Sequence, residues 1–221
     1  MEFHIKITNE LRNFNDYVEV TQIAGNVTVD VYRMTLQDLM RSINSSITAG
    51  IKSETPFLPK NCVKLLTTSS GYMALIEIPK RIWKVQYDKT TMNVGFPRLL
   101  IQYVVDDNIV RSMKVVALKE KGAVSKNTTL YYFPFSNVHH SSGEVCMGFN
   151  TFPKLESLSN LETLHYLFFA APFGEDYGAI SLAKKSTKEL FQSYENKDFD
   201  DEMLLPMNRE IETFFNLSEN E

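Results

Sequence analysis

Cysteine is scarce in this chain: Cys62 and Cys146 are the only two among 221 residues, and no Cys-x-x-Cys pair occurs. That count excludes a zinc finger and a multi-bridge disulfide framework, and leaves one disulfide as the most the thiols can form. Runs of positive charge are missing too. None exceeds Lys184-Lys185, and the net charge is −4. A protein that lives by phosphate contacts carries a basic face, so nucleic acid is not the expected main ligand. No apolar stretch approaches the roughly 18 residues of a membrane span. The opening MEFHIKITNE lacks the charged-then-apolar order of a secretory signal. A reducing cytoplasm is the expected location. Neither a phosphate-cradling Gly-rich loop nor a Gly-x-Ser-x-Gly elbow is present. What remains is an ordinary globular composition, 43% hydrophobic and 23% charged, with 15 Phe and 10 Tyr to fill a core.

Residues 3–33 read as extended. YVEVTQIA and NVTVDVYRM both alternate around Ala24-Gly25-Asn26, which predicts a hairpin. TLQDLMRSINSSITAG then puts Leu36, Leu39, Met40, Ile43 and Ile47 on one helical face, with Thr35 and Asp38 as a capping pair and Gly50 as a stop. From 62 to about 133 the chain reads as a meander of short strands: CVKLLTT, YMALIEIP, RIWKVQY, PRLLIQYVVD and NIVRSMKVVAL. Ser69-Ser70-Gly71, Asp88-Lys89 and Asp106-Asp107-Asn108 punctuate it, and tight turns between sequential strands favour antiparallel neighbours. Three helices are expected later, in NLETLHYLFFAAPF, LAKKSTKELFQSYENK and PMNREIETFFNL, with the acidic NKDFDDE as a solvated loop. Strands before helices make the fold class α+β. The expected organisation is an N-terminal extension over 1–60, a β-hairpin and helix packed on the core, followed by a core over 61–221.

Between 131 and 153 the chain follows neither period. It holds Pro134, Pro153, Ser141-Ser142-Gly143 and Gly148, yet also six aromatic residues, Tyr131, Tyr132, Phe133, Phe135, Phe149 and Phe152. Rings on that scale need burial, so an ordered loop pinned by aromatics is expected rather than disorder. Cys146 within it is either a small core residue, the commoner fate of a free cysteine and the one expected of Cys62, or a thiol presented at a bend that Gly143 and Gly148 permit. Asn137 either closes an Asx-turn or supplies an amide that helps to hold negative charge on an oxygen. His139 and His140 are either solvated loop residues or candidates to lower the thiol pKa. A metal site would need His139, His140 and Cys146 plus a fourth group, and adjacent histidines rarely converge on one ion. His165, in an apolar helix, reads as a packing residue.

The segment resembles the active-site region of ubiquitin-conjugating enzymes. There, His-Pro-Asn is followed by a short loop and Gly-x-(Ile/Val)-Cys-Leu; here Phe135-Ser136-Asn137 precedes Gly143-Glu144-Val145-Cys146-Met147. The match is closest to the bacterial conjugating-enzyme-like proteins of prokaryotic family D, or protein B of the PRTRC gene system, through Tyr132, Pro134, Asn137, Val138, Gly143, Val145, Cys146 and Gly148. The strands around Tyr72–Pro79 and Val115–Lys119 look similar as well, and the order of elements agrees over residues 60 to 180. Phe135 and Ser136 depart from the tripeptide, and the Asn-to-Cys distance is one longer than in typical eukaryotic members. No acidic residue follows Cys146 closely enough to serve an incoming lysine. The resemblance implies an antiparallel meander sheet packed by helices. It implies an enzyme without cofactor or metal that takes a ubiquitin-like modifier from a ThiF-like activating enzyme as a thioester on Cys146 and passes it to an amine, with Asn137 as the second catalytic residue. A deconjugating metalloprotease of the same operon is a further candidate partner. Two other readings stay open: a cysteine hydrolase pairing Cys146 with His139, His140 or His165, and a conjugating-like module that binds without catalysis.

Overall fold

The computed structural model describes residues 2–47, 55–68, 70–119 and 122–217, and of 44–47 the backbone only. The helix stop expected at Gly50, the Ile47 side chain and Ser69 lie outside the described residues. The chain divides into two compact units, Met1–Thr55 and Pro56–Glu221.

In the first unit, β1 (Glu2–Lys6), β2 (Tyr17–Ala24) and β3 (Val27–Thr35) form an antiparallel sheet in the order β1-β2-β3. The turn between β2 and β3 uses Gly25 in the left-handed region, at φ 62°. Helix α1 (Leu36–Ile47) starts where the Thr35 hydroxyl accepts the Asp38 N–H and donates to the Asp38 carboxylate. The unit's core is small: Val18, Val20 and Leu39 are buried, while Met40 and Ile43 on the same helix stay largely exposed.

The second unit is built on an antiparallel sheet of β4 (Cys62–Thr67), β5 (Gly71–Ile78), β8 (Arg98–Asp106) and β9 (Ile109–Leu118), in the order β4-β5-β8-β9. The β8–β9 turn places Asp107 and Asn108 at φ 49° and 62°, the double left-handed geometry of a tight hairpin. One expectation is corrected here. RIWKVQY is β6 (Arg81–Tyr87), but it pairs with β7 (Thr90–Phe96) as a separate two-stranded ribbon, while β5 and β8 pair directly from Gly71↔Asp106 to Ile78↔Leu99. Tight turns favour neighbours, but β6 finds its partner beyond the Asp88-Lys89 turn rather than behind it.

Both faces of the four-stranded sheet are buried, which is why Leu99, Leu100, Ile101, Tyr103 and Val105 of β8 form a nearly unbroken apolar run. Leu99, Ile101, Tyr103 and Val105 join one cluster with α2 (Leu161–Ala170), α3 (Thr187–Ser193), β6 and β7. Leu100, with Leu75, Val116 and Leu118, joins a second cluster with α4 (Ile211–Phe215). Gln102, 1% exposed on that second face, donates from Nε2 to the Phe215 carbonyl at 2.6 Å and ties α4 to the sheet.

The stretch NKDFDDE is a solvated loop in its charged residues, with Asp198, Asp200 and Glu202 exposed, but it is corrected at its centre, where Phe199 packs into the core. Phe199 is 1% exposed against Tyr194 and Phe135, with ring centroids at 4.5 and 5.8 Å, and Asp201 pairs with Lys80 at 3.1 Å. One apolar side chain with a place in the core outweighs the acidic neighbours, whose heads still reach water or a cation.

His165 is the packing residue that its helix predicts. It is 7% exposed among Trp83, Tyr166 and Phe169, and its Nδ1 finds no hydrogen-bond partner among the described residues. Burial, helped by the Arg81 charge, pushes the imidazole down to about 4 from 6.5. The folded state therefore favours the neutral ring. The stability this confers is complete above the unfolded pKa and is lost as pH falls from about 6.5 towards about 4. Acidification to pH 4 should cost the wild type about 3 kcal/mol through this group. His165→Phe should remove that part of the acid sensitivity, measured by denaturant melts at pH 7 and pH 4; equal losses in both proteins would contradict it.

Candidate active site

The irregular segment after β9 is ordered by its rings. Phe135 is fully buried, with ring centroids 4.3 Å from Phe96 and 4.8 Å from Phe191. The residue standing at the histidine of the resembling tripeptide is thus an anchor for the backbone of Asn137. Ser136 beside it is fully buried, and its hydroxyl is unpartnered among the described residues.

From this anchor the chain makes a tight hairpin that returns at Cys146. The Cys146 N–H donates to the Asn137 carbonyl at 2.8 Å, and the His139 N–H to the Glu144 carbonyl at 2.8 Å. The Gly143 N–H closes the tip on the His139 carbonyl at 2.7 Å. The returning limb lies along the free edge of β9. The Val115 N–H donates to the Gly143 carbonyl at 2.8 Å, and the Val145 N–H to the Met113 carbonyl at 3.0 Å. Asn137 and Cys146 are therefore directly opposite one another, and Cys146 is half-buried and free.

A second wall comes from the loop after α2. The Phe173 N–H donates to the Gln86 carbonyl at 2.7 Å, and the Asp88 N–H to the Phe173 carbonyl at 2.9 Å, which zips this loop onto β6. The Tyr87 hydroxyl donates to the Glu175 carboxylate, and that hydrogen bond, with burial and the nearby negative charge, pushes the phenol up to about 12. Asn137 joins the two walls. At φ 66°, in the left-handed region that asparagine tolerates, its N–H donates to the Asp176 carbonyl at 3.0 Å and its Nδ2 to the Pro172 carbonyl at 2.8 Å. It is 5% exposed.

Between the walls lies a cleft of about 270 Å³, lined by Cys146 and residues 147–150 on one side, by Ala171, Pro172 and Asp176 on the other, and by Asn137. Phe149 at its rim is fully exposed. The sequence pattern pairs Asn137 with Cys146, and the fold brings them together. It does not bring His139 or His140 to the cleft lining. The His139 Nδ1 lies 3.1 Å from the Ser141 hydroxyl and its ring edges Tyr177, while the His140 Nε2 lies 3.4 Å from the Gly178 carbonyl. Asp176, an exposed acidic residue among those that line the cleft, escaped sequence reasoning. Its only signal was the Pro172-Phe173-Gly174 break after an apolar helix. Cys62 sits in β4, where burial raises its thiol pKa.

Residues 38–207 match the family model described as Prokaryotic E2 family D. The chain belongs to that family. Neither a curated protein nor a solved structure gives a significant match. Membership in Prokaryotic E2 family D points to a conjugating-enzyme-like function, and in general to dealings with a modifier protein and an activating enzyme. The matched span takes in the whole cleft, from Asn137 to Asp176. No helix among the described residues is long and apolar enough to cross a membrane.

Proposed function

We propose that this protein is an acyl carrier and transferase for a ubiquitin-like modifier, with Cys146 as the acceptor. The carrying observation is the opposition of Asn137 and Cys146 across one backbone hydrogen bond, at the mouth of a cleft whose far wall the same asparagine holds. A modifier arrives as a thioester on a ThiF-like activating enzyme. The Cys146 thiolate adds to the carbonyl, a new carbon–sulfur bond forms, and the activating enzyme's thiolate leaves. An amine then attacks the Cys146 thioester, a carbon–nitrogen bond forms, and the Cys146 thiolate departs. The attacking ammonium must first lose a proton, and Asp176 is the acidic residue of the cleft lining assigned here to orient the cation and receive it. The exchange of one thioester for another is nearly balanced, so positioning dominates the rate.

Asn137 acts here as a brace. Its amide is committed to the Pro172 carbonyl, so it holds the wall that carries Asp176. Asn137→Ala should slow transfer to an amine by roughly tenfold to a hundredfold and charging by less than roughly threefold. Asn137→Asp, which keeps the side-chain shape and loses the Nδ2 donor, should follow the alanine variant. Single-turnover discharge to free lysine and single-turnover charging separate the two steps. Equal losses in both would overturn the brace. The founding experiment mixes purified protein, the activating enzyme, ATP and the modifier on a non-reducing gel. A reductant-sensitive adduct at Cys146 is the expected result, and its absence sinks the proposal.

A further inference from the structure

The hairpin that carries Cys146 is held to β9 by few bonds, and a part of the chain beyond the family-matched span presses on it. Gly143 has φ 71°, in the left-handed region, and a Cβ built there would meet Phe214 Cζ at 2.7 Å and the Val115 carbonyl at 3.2 Å. Phe214, in α4, is 5% exposed. The Arg209 Nη1 donates to the Ser141 carbonyl at 3.1 Å, at the hairpin tip, and its guanidinium stands 6.0 Å from the Phe214 ring, with the Lys114 ammonium 5.9 Å away. The pressing element is itself fixed. The Met207 N–H donates to the Leu130 carbonyl at 2.9 Å, and Phe215 is tied to Gln102.

We infer that the segment from Met207 to Leu217 is a clasp that sets the position of the Cys146 hairpin, with Phe214 and Arg209 as its positioning residues. A ring with no gap behind it gives the hairpin one resting place. Gly143 is required for that seat, because any side chain there would collide with Phe214. The clasp does not touch the cleft and acts only through the hairpin. Its relevance to acyl transfer rests on the reading of Cys146 given above.

The test compares Phe214→Leu with Phe215→Leu. Both remove volume from the same apolar cluster, so both lower the melting temperature, but only Phe214 seats Gly143. Amide hydrogen exchange should quicken by roughly tenfold or more at Val115, Val145 and Cys146 in Phe214→Leu, beyond its effect on the central strand β8. In Phe215→Leu the hairpin amides should change only in step with β8. Arg209→Ala should quicken exchange at Gly143, whereas Arg209→Lys should restore part of the protection. The rate of Cys146 alkylation by iodoacetamide should change in Phe214→Leu and not in Phe215→Leu. Hairpin exchange that tracks global stability equally in both variants overturns the clasp, whatever the outcome of the conjugation assay. A wild-type protein that takes no modifier, together with the selective loss of protection in Phe214→Leu, upholds the clasp while removing the acyl-transfer reading.

Discussion

Replacing Cys146 with serine should lower formation of the reductant-sensitive adduct by roughly three orders of magnitude or more. The thiol is half-buried, and the bond that seats Cys146 in the hairpin, its N–H on the Asn137 carbonyl, is made by backbone atoms, so exchanging sulfur for oxygen leaves the hairpin intact. The expected stability change is under about 1 kcal/mol. The chemistry, by contrast, changes completely. A serine hydroxyl is a weak nucleophile without an adjacent base, and no histidine among the described residues lines the cleft to supply one. Any residual product would be an oxygen ester, slow to form and resistant to reductant. Cys62→Ser is the control, because burial holds that thiol protonated in β4, and its loss should leave adduct formation unchanged. Persistence of the adduct in Cys146→Ser, together with its loss in Cys62→Ser, would move the acceptor to the other cysteine.

A large effect on stability is expected at Gly95, in β7. A Cβ built there would lie 2.0 Å from the Lys197 carbonyl oxygen and 2.7 Å from the Phe199 nitrogen, both of them backbone. The same strand edge is zipped to that segment by the Gly95 N–H on the Tyr194 carbonyl at 3.0 Å and the Asn196 N–H on the Asn93 carbonyl at 2.7 Å. A methyl group cannot enter without lifting the segment, and with it Phe199 from its place against Phe135. Overpacking and partial loss of a buried ring together predict a cost of roughly 3 kcal/mol or more. For a domain of this size that is a melting-temperature drop of about 6–12 °C. Gly174→Ala is the matched control, since nothing stands within 4 Å of the added atom and its φ is not in the left-handed region. It should melt within about 2 °C of the wild type. A Gly95→Ala protein as stable as that control would show that β7 does not approach the segment so closely.

The nearest-neighbour parts of the site were legible in the sequence because they are local. Asn137 and Cys146 belong to one hairpin, and residues near Gly143 and Gly148 announce bends. The antiparallel strands separated by Asp107-Asn108 were legible for the same reason. What escaped was decided by contacts between distant segments. Asp176 reaches the cleft only because the loop after α2 pairs with β6, and an acidic residue in a loop carries no mark of that. The partner of β6 escaped because short β-branched runs look alike, and the choice between β5 and β7 is made by where Trp83, Val94 and Phe96 find burial. NKDFDDE misled because four acidic residues advertise water while one phenylalanine, in their midst, decides the path of the backbone. The clasp was invisible because a phenylalanine in a short apolar helix does not declare whether it faces a sheet or a glycine.

The ribbon of β6 and β7 has a consequence for which deletions the chain can survive. In the hydrogen-bond ladder it is a detour, since β5 meets β8 residue for residue without it. A shortened chain that jumped from β5 to β8 would keep every rung. It would nevertheless lose the side of the ribbon that grips the loop of Asp176 through Gln86, Tyr87 and Asp88, and lose Phe96, whose ring touches Phe133, Phe135, Phe169, Phe173 and Phe191. A segment dispensable to pairing is thus indispensable to the interior. Shortening or lengthening is tolerable at its tip, around Asp88-Lys89, only as far as Asp88 keeps its bond to Phe173.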